Sequence, residues 1–177
     1  IVLLFVGRLK KEKGVIRLAN AFSSVSKIHR NVTLVIVGAD EEDLKAKIIK
    51  ILTTSIDSVR FIGFTKKPEN YMKASDILIL PSYREGFGNV VIEAASSGIP
   101  SIVSNIYGLN DAIIDGDTGL LTSTNSTKSL EDAMNKLIKE EHLRIHMGSR
   151  ARIRAIESFS QNNMTLDVIK FYKRLLR

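Results

Sequence analysis

Two positive side chains stand in the loop that follows the first apolar run of the sequence. The loop reads Gly7-Arg8-Leu9-Lys10-Lys11-Glu12-Lys13-Gly14, and it places Arg8 and Lys13 just before a segment of helical period. An arginine offers a planar fork to phosphate oxygens and a lysine offers a compact charge, so the pair suits a diphosphate. The spacing fits neither the G-x-G-x-x-G dinucleotide pattern nor a Walker loop. Taken alone, the loop is equally well explained as a solvated basic surface.

A second segment combines glycines with two carboxylates at the start of another predicted helix. It runs Pro81-Ser82-Tyr83-Arg84-Glu85-Gly86-Phe87-Gly88-Asn89-Val90-Val91-Ile92-Glu93. Gly86 and Gly88 let backbone N–H groups approach a ligand closely, and free amides at a helix start favour an anion. Glu85 and Glu93 are suited to accept hydrogen bonds from hydroxyl groups on either side of that anion. A molecule with hydroxyls flanking a diphosphate is a nucleotide sugar; the alternative is a surface glutamate followed by a carboxylate favoured by the helix dipole.

Alternating apolar runs and helical periods predict the elements that position these residues. Short runs rich in Val and Ile are typical of strands buried on both faces; they lie at Ile1–Val6, Val32–Val37, Val59–Ile62, Ile77–Leu80, Ser101–Val103 and Leu120–Leu121. Helical patterns lie at Gly14–Arg30, Asp40–Thr54, Asn89–Ser97, Leu130–Ile138, His142–Glu157 and Ser160–Leu176, the last with Ser160 as N-cap.

This alternation predicts an α/β fold. We expect a doubly wound, Rossmann-like parallel sheet of about six strands, with helices on both faces and a helical C-terminus. Ligands of such sheets bind in the crevice beyond the carboxyl ends of the strands. The loop after Val6 and the loop after Leu80 are therefore expected to border one site.

The composition is that of an ordinary globular domain with an excess of positive charge. The 177 residues include no cysteine, 44% are hydrophobic, and the net charge is +7. One domain is expected, without disulfides or thiolate metal sites. No apolar run approaches the ~20 residues that span a bilayer. A chain that opens directly on a strand is expected to be a fragment of a longer cytoplasmic protein, and its basic late helices form a solvated face or contact an anionic membrane.

The spacing from Glu85 to Glu93 resembles the E-x7-E motif of retaining glycosyltransferases with the GT-B fold. The surrounding residues resemble family 4 of that class, at Val6-Gly7-Arg8-Leu9, Lys13-Gly14, Val37-Gly38, Pro81-Ser82, Glu85 to Ala94, Gly98-Ile99-Pro100 and Asp115 to Leu121. The resemblance implies that residues 1–177 are the nucleotide-sugar (donor) binding domain, the C-terminal half of such an enzyme. The N-terminal acceptor domain of the same enzyme, absent from these residues, would then be the partner, and this half alone would be inactive.

The resemblance also implies roles for individual residues. Arg8 and Lys13 are expected to stabilise the donor diphosphate as catalytic cations, and Glu85 to contact the transferred sugar. Glu93 is expected to bind the ribose hydroxyls. Backbone amides of Gly86, Phe87, Gly88 and Asn89 are expected at the sugar and the distal phosphate, and the backbone of Gly63, Phe64 and Thr65 near the base. Gly7 and Val90 complete the expected donor-binding set. No metal or other cofactor is expected, because the cations neutralise the leaving group. The family often has Pro-Glu where this chain has Asn110-Asp111, which weakens any role there.

Three other functions are compatible with parts of the sequence. A non-catalytic nucleotide-sugar or phosphate-binding module is disfavoured by the joint presence of two cations and two glutamates. A nucleic-acid-binding protein is suggested by charge alone, without interleaved aromatic residues or a recognisable reading element, so no nucleic-acid partner is expected. A nicotinamide-dependent oxidoreductase would share the fold but lacks the glycine fingerprint.

Overall fold

A single sheet of six parallel strands forms the centre of the molecule. The computed structural model describes residues 1–176, apart from the side chains of Gln161, Asn162, Met164, Leu166 and Asp167. The strands are β1 (Val2–Val6), β2 (Thr33–Val37), β3 (Val59–Gly63), β4 (Ile77–Leu80), β5 (Ser101–Ser104) and β6 (Gly119–Thr122). Their order is β3-β2-β1-β4-β5-β6. The predicted doubly wound, Rossmann-like fold is confirmed.

Seven helices surround the sheet within the described part of the chain. They are α1 (Val15–Ile28), α2 (Lys45–Ile51), α3 (Glu69–Lys73), α4 (Asn89–Ser96), α5 (Thr127–Lys139), α6 (Glu141–Phe159) and α7 (Gln161–Leu175). Helix α1 contacts α2 and α5, whereas α4 contacts α3 and α6. Right-handed crossovers place these two groups on opposite faces of the sheet. The apolar strands are thereby covered on both sides, and every residue of β4 and β5 is buried.

Side chains at the helix ends explain where the helices begin. Ser160 Oγ accepts a hydrogen bond from the backbone N–H of Asn163 at 3.4 Å, so the predicted N-cap of α7 is confirmed. Helix α2 is shorter than predicted. The Asp40 carboxylate accepts hydrogen bonds from the N–H groups of Leu44 and Lys45, both at 2.9 Å, and Asp43 has a φ of 53°. This turn delays the helix start, and after Ile51 the chain tightens into a 3₁₀ segment at Thr53–Ser58.

The strand order creates a switch point between β1 and β4. These strands are hydrogen-bonded neighbours, yet the chain leaves β1 toward β2 on one side and leaves β4 toward β5 on the other. The loops after β1 and β4 therefore lie at the point where sheets of this kind bind their ligands. None of the helices in residues 1–176 combines the length and the apolar character needed to cross a membrane.

Candidate functional site

The loops that follow β1 and β4 interlock at the switch point. Gly14 has a φ of 69°, and a Cβ placed on it would lie 1.9 Å from the carbonyl oxygen of Pro81. The backbone N–H of Tyr83 donates to the carbonyl oxygen of Glu12 at 2.7 Å. Only glycine fits this position, because it tolerates the left-handed backbone and has no side chain to clash with the second loop. The contact brings the two segments predicted to do chemistry together.

Lys13 and Glu85 form an ion pair across this junction. Lys13 Nζ lies 2.9 Å from Glu85 Oε1, and the two side chains are only 16% and 13% exposed. The Oγ of fully buried Ser82 donates to the same carboxylate oxygen at 2.9 Å. Removal from water strengthens this pair relative to a surface salt bridge. Glu85 Oε2 makes no hydrogen bond within the described part of the chain, so it is available to a ligand hydroxyl.

The glycine turn after Glu85 presents free backbone amides. The N–H groups of Gly86, Phe87 and Val90 find no acceptor among the residues that the structure describes, whereas that of Gly88 donates to Gly108 at 3.2 Å. Gly108 has a φ of 89°, and a Cβ there would lie 2.5 Å from the Gly86 carbonyl oxygen. The turn thus packs against Gly108, while the N–H groups of Gly86, Phe87 and Val90, at the start of α4, remain without acceptors in the described part of the chain. Such a helix start attracts anions.

Glu93 lies one turn into α4 and lines a cavity of about 500 Å³. The cavity is also lined by Phe87, Asn89, Ile92, Ser96 and Phe159. The Phe87 and Phe159 rings lie 5.8 Å apart between centroids, so the end of α6 packs against the glycine turn. A carboxylate and an amide at the wall of an open cavity are suited to bind hydroxyl groups.

Arg8 forms an ion pair with an acidic residue that follows β2. Its Nη1 lies 3.4 Å from Glu41 Oε2, and the side chain is 54% exposed. Lys10 Nζ contacts the same glutamate oxygen at 2.9 Å, and its hydrogen bond, with the charge of Arg8, lowers the pKa of Glu41. The backbone explains this placement, because Leu9 donates to the carbonyl of Ala39 at 2.8 Å and so draws the loop toward β2. The two predicted cations therefore pair with different carboxylates, Arg8 with Glu41 and Lys13 with Glu85.

The residues predicted near the base lie at the ends of β2 and β3. Gly63 has a φ of 80°, and its carbonyl oxygen accepts a hydrogen bond from Gly38 at 2.8 Å. Both glycines line a cavity of about 230 Å³ that also includes Asp40, Lys45 and Phe61. Two residues follow Gly63 outside the cavity lining: Phe64 is 74% exposed, and Thr65 accepts from the Lys67 N–H at 3.1 Å.

Gly7 connects this region to the first loop. Its N–H donates to Val37 at 2.9 Å, and a Cβ on Gly38 would lie 1.9 Å from the Gly7 carbonyl oxygen. The donor-binding residues predicted from the sequence thus fall into three groups along the carboxyl edge of the sheet: the Lys13–Glu85 junction with its glycine turn, the Glu93 cavity, and the Gly63 cavity.

Sequence reasoning gave no role to two residues that shape the site. Ser82 lies three residues before Glu85 in the same segment, and a serine beside a polar turn commonly forms such a hydrogen bond. Glu41 lies in an acidic run after β2, and nothing in that run distinguishes it from Asp40, Glu42 or Asp43 as the partner of Arg8. Among the described side chains, no cluster of three or more His, Asp and Glu residues is arranged to bind a metal ion.

Comparison with known proteins identifies the family. The family model for glycosyl transferases group 1 matches residues 1–154. The capsular polysaccharide biosynthesis glycosyltransferase CapM of Staphylococcus aureus is 29% identical over 177 residues, which is 99% of this chain and 47% of that protein. The chain therefore spans about half the length of such relatives.

Solved structures share the fold at low sequence identity. HepE from Anabaena, in complex with UDP, superposes with a TM-score of 0.90 at 22% identity, covering 98% of this chain and 48% of that one. The separately solved C-terminal domain of LpcC, a glycosyl transferase group 1 family protein from Francisella tularensis, has a TM-score of 0.83 at 23% identity and covers 90% of this chain and 86% of that domain. With the family model matching most of its length and the Glu85-to-Glu93 motif at the switch point of the sheet, the chain belongs to the glycosyl transferases group 1 family.

Proposed function

We propose that this chain is the donor-binding domain of a retaining GT-B glycosyltransferase, which transfers a sugar from a nucleoside diphosphate to an acceptor hydroxyl. The observation that carries the proposal is the shielded Lys13–Glu85 pair beside the free amides of Gly86 and Phe87. Together they offer a cation and N–H donors to phosphate, and a carboxylate to sugar hydroxyls. UDP bound to HepE and the biosynthetic role in the name of CapM support this assignment.

Charge stabilisation is the main chemical contribution of this domain in the proposed reaction. When the bond between the anomeric carbon and the distal phosphate oxygen breaks, negative charge accumulates on the diphosphate. We assign the stabilisation of that charge to Lys13, to the amides of Gly86 and Phe87, and to Arg8 after its release from Glu41. The acceptor oxygen attacks from the face that the diphosphate leaves, and its proton passes to a phosphate oxygen. No general base from this chain is required.

An acceptor domain is the proposed partner, because the chain spans about half of CapM. The crevice above β1 and β4 would form one wall of the active site and the partner domain the other. On this proposal the 177-residue chain binds the donor without catalysing transfer. Titration of the chain with UDP, GDP, ADP and their sugars by calorimetry tests the binding step. Absence of binding across this panel would refute the proposal.

Glu93 provides a test of the ribose assignment. We expect Glu93→Gln to weaken binding of the preferred nucleoside diphosphate by ~1–3 kcal/mol, the range for losing a charged hydrogen bond. The 2′,3′-dideoxy form of the same nucleotide lacks the hydroxyl groups and should bind parent and variant equally. Calorimetry with both nucleotides measures the difference. An equal loss of affinity for both nucleotides would mean that Glu93 does not contact the ribose.

Glu41 provides a test of the position of Arg8. Glu41→Gln removes the charge that holds Arg8 and Lys10, so we expect affinity for the nucleoside diphosphate to rise modestly, because an exposed ion pair is weak. Glu69→Gln removes an exposed carboxylate on α3 and serves as the matched control. Calorimetry at fixed low salt compares the two variants. A gain of the same size in both would mean that net charge alone is responsible.

A further inference from the structure

The third residue of α1 is an arginine that the fold buries almost completely. Arg17 is 4% exposed, and burial lowers the pKa of its guanidinium. No carboxylate of the described residues forms an ion pair with it, and its Nε is buried without a hydrogen-bond partner among them. Burial of an uncompensated charge is strongly unfavourable. An apolar residue of similar volume would avoid that cost, so stability alone does not account for Arg17.

The guanidinium contacts the carboxyl ends of three neighbouring strands. Nη1 donates to the carbonyl oxygen of Ser123, just after β6, at 2.8 Å, and Nη2 donates to Ser104 Oγ, at the end of β5, at 3.0 Å. Its central carbon lies 5.6 Å from the centroid of the Tyr83 ring, in the loop after β4. The planar fork of arginine makes these contacts at once, which the single ammonium of a lysine does not.

Tyr83 connects Arg17 to the donor site. Its backbone donates to Glu12, which precedes Lys13, and it lies between buried Ser82 and Glu85 in the chain. Tyr83 is 46% exposed, and its ring contacts the buried guanidinium of Arg17. A shift of Tyr83 would therefore move both the Ser82–Glu85 segment and the backbone next to Lys13.

We propose that Arg17 is a positioning residue of the donor site, which acts through Tyr83 to hold the segment that carries Glu85 against Lys13. The inference rests on the proposed function and adds to it a residue that does not touch the ligand. This role accounts for a buried charge whose hydrogen-bond acceptors both lie at the carboxyl edge of the sheet. It also explains why an exposed tyrosine ring is placed over a cation.

The test compares nucleotide affinity with stability. Arg17→Met keeps similar volume without the fork, and Tyr83→Leu removes the ring while leaving Arg17 in place. We expect each variant to bind the parent's preferred nucleoside diphosphate about tenfold more weakly, comparable to one misplaced charge-assisted hydrogen bond. The double variant should be no weaker than the single ones, because both changes break the same contact. Arg30→Met, at an exposed position, should bind like the parent.

Calorimetry and thermal unfolding on the same samples distinguish the outcomes. If Arg17→Met does not fold, Tyr83→Leu and Arg17→Lys carry the test, and Arg17→Lys should lose several-fold in affinity because it keeps the charge without the fork. A lower melting temperature with unchanged affinity, or additive losses in the double variant, would overturn the inference and leave the proposed function standing. Failure of the parent chain to bind UDP, GDP or ADP would overturn both.

Discussion

Lys13→Ala is expected to lower affinity for a nucleoside diphosphate by about a hundredfold, roughly 3 kcal/mol, the upper range for a hydrogen bond to a charged group. Lys13 is paired with Glu85, which directly precedes the glycine turn, and its side chain is only 16% exposed. Its removal takes away positive charge where the diphosphate is proposed to bind. Calorimetry of parent and variant with the preferred nucleotide measures the loss.

The same change is expected to cost less in stability than in nucleotide affinity. Glu85 keeps its hydrogen bond from Ser82 Oγ, and loss of the lysine side chain lets water reach the carboxylate, so the cost should stay below the roughly 3 kcal/mol of breaking a fully buried pair. Lys11→Ala is the matched control, since Lys11 lies in the same loop with an exposed side chain. If Lys13→Ala and Lys11→Ala weakened binding equally, the effect would come from general loop charge and the diphosphate role of Lys13 would be refuted.

Among the substitutions proposed for the donor site, Gly14→Ala is expected to lower the free energy of unfolding most. The left-handed backbone at φ 69° costs an alanine about 1 kcal/mol, and the contact of 1.9 Å between its Cβ and the Pro81 oxygen adds roughly 1–3 kcal/mol of overpacking. The two loops must separate to relieve this contact, which also weakens the Lys13–Glu85 pair. Chemical denaturation gives the change in free energy of unfolding, and calorimetry gives the accompanying loss of nucleotide affinity.

Gly116 offers the control for the backbone term. Its φ is 78°, nearly the same as that of Gly14, but no heavy atom lies within 4 Å of an added Cβ. Gly116→Ala should therefore cost only the conformational term, about 1 kcal/mol, and leave nucleotide binding unchanged. Equal destabilisation by the two substitutions would mean that the loops are not pressed together at Gly14.

The positions of the strands and of most helices could be predicted from local patterns of apolar residues. Strand β4 occupies the predicted Ile77–Leu80, and the other strands lie within two residues of their predicted bounds, because strands buried on both faces require continuous apolar runs. The apolar face of α1 was visible from its spacing for the same reason. Helix α2 was predicted too long because Asp40 and Asp43 form a turn whose hydrogen bonds compete with helix formation. The spacing of apolar residues does not reveal that competition.

The sequence by itself determined which residues have the chemistry for a diphosphate and sugar hydroxyls, since residue type and the glycine-marked helix start are local properties. The tertiary structure alone decided which of them meet. Lys13 and Glu85, 72 residues apart, form a pair because β1 lies beside β4. Arg8 contacts Glu41 because β2 lies on the other side of β1. Arg17, an ordinary helix residue in the sequence, becomes a buried cation because three strand ends converge on it. Coulomb energy depends on distance in space, and distance along the chain does not determine it.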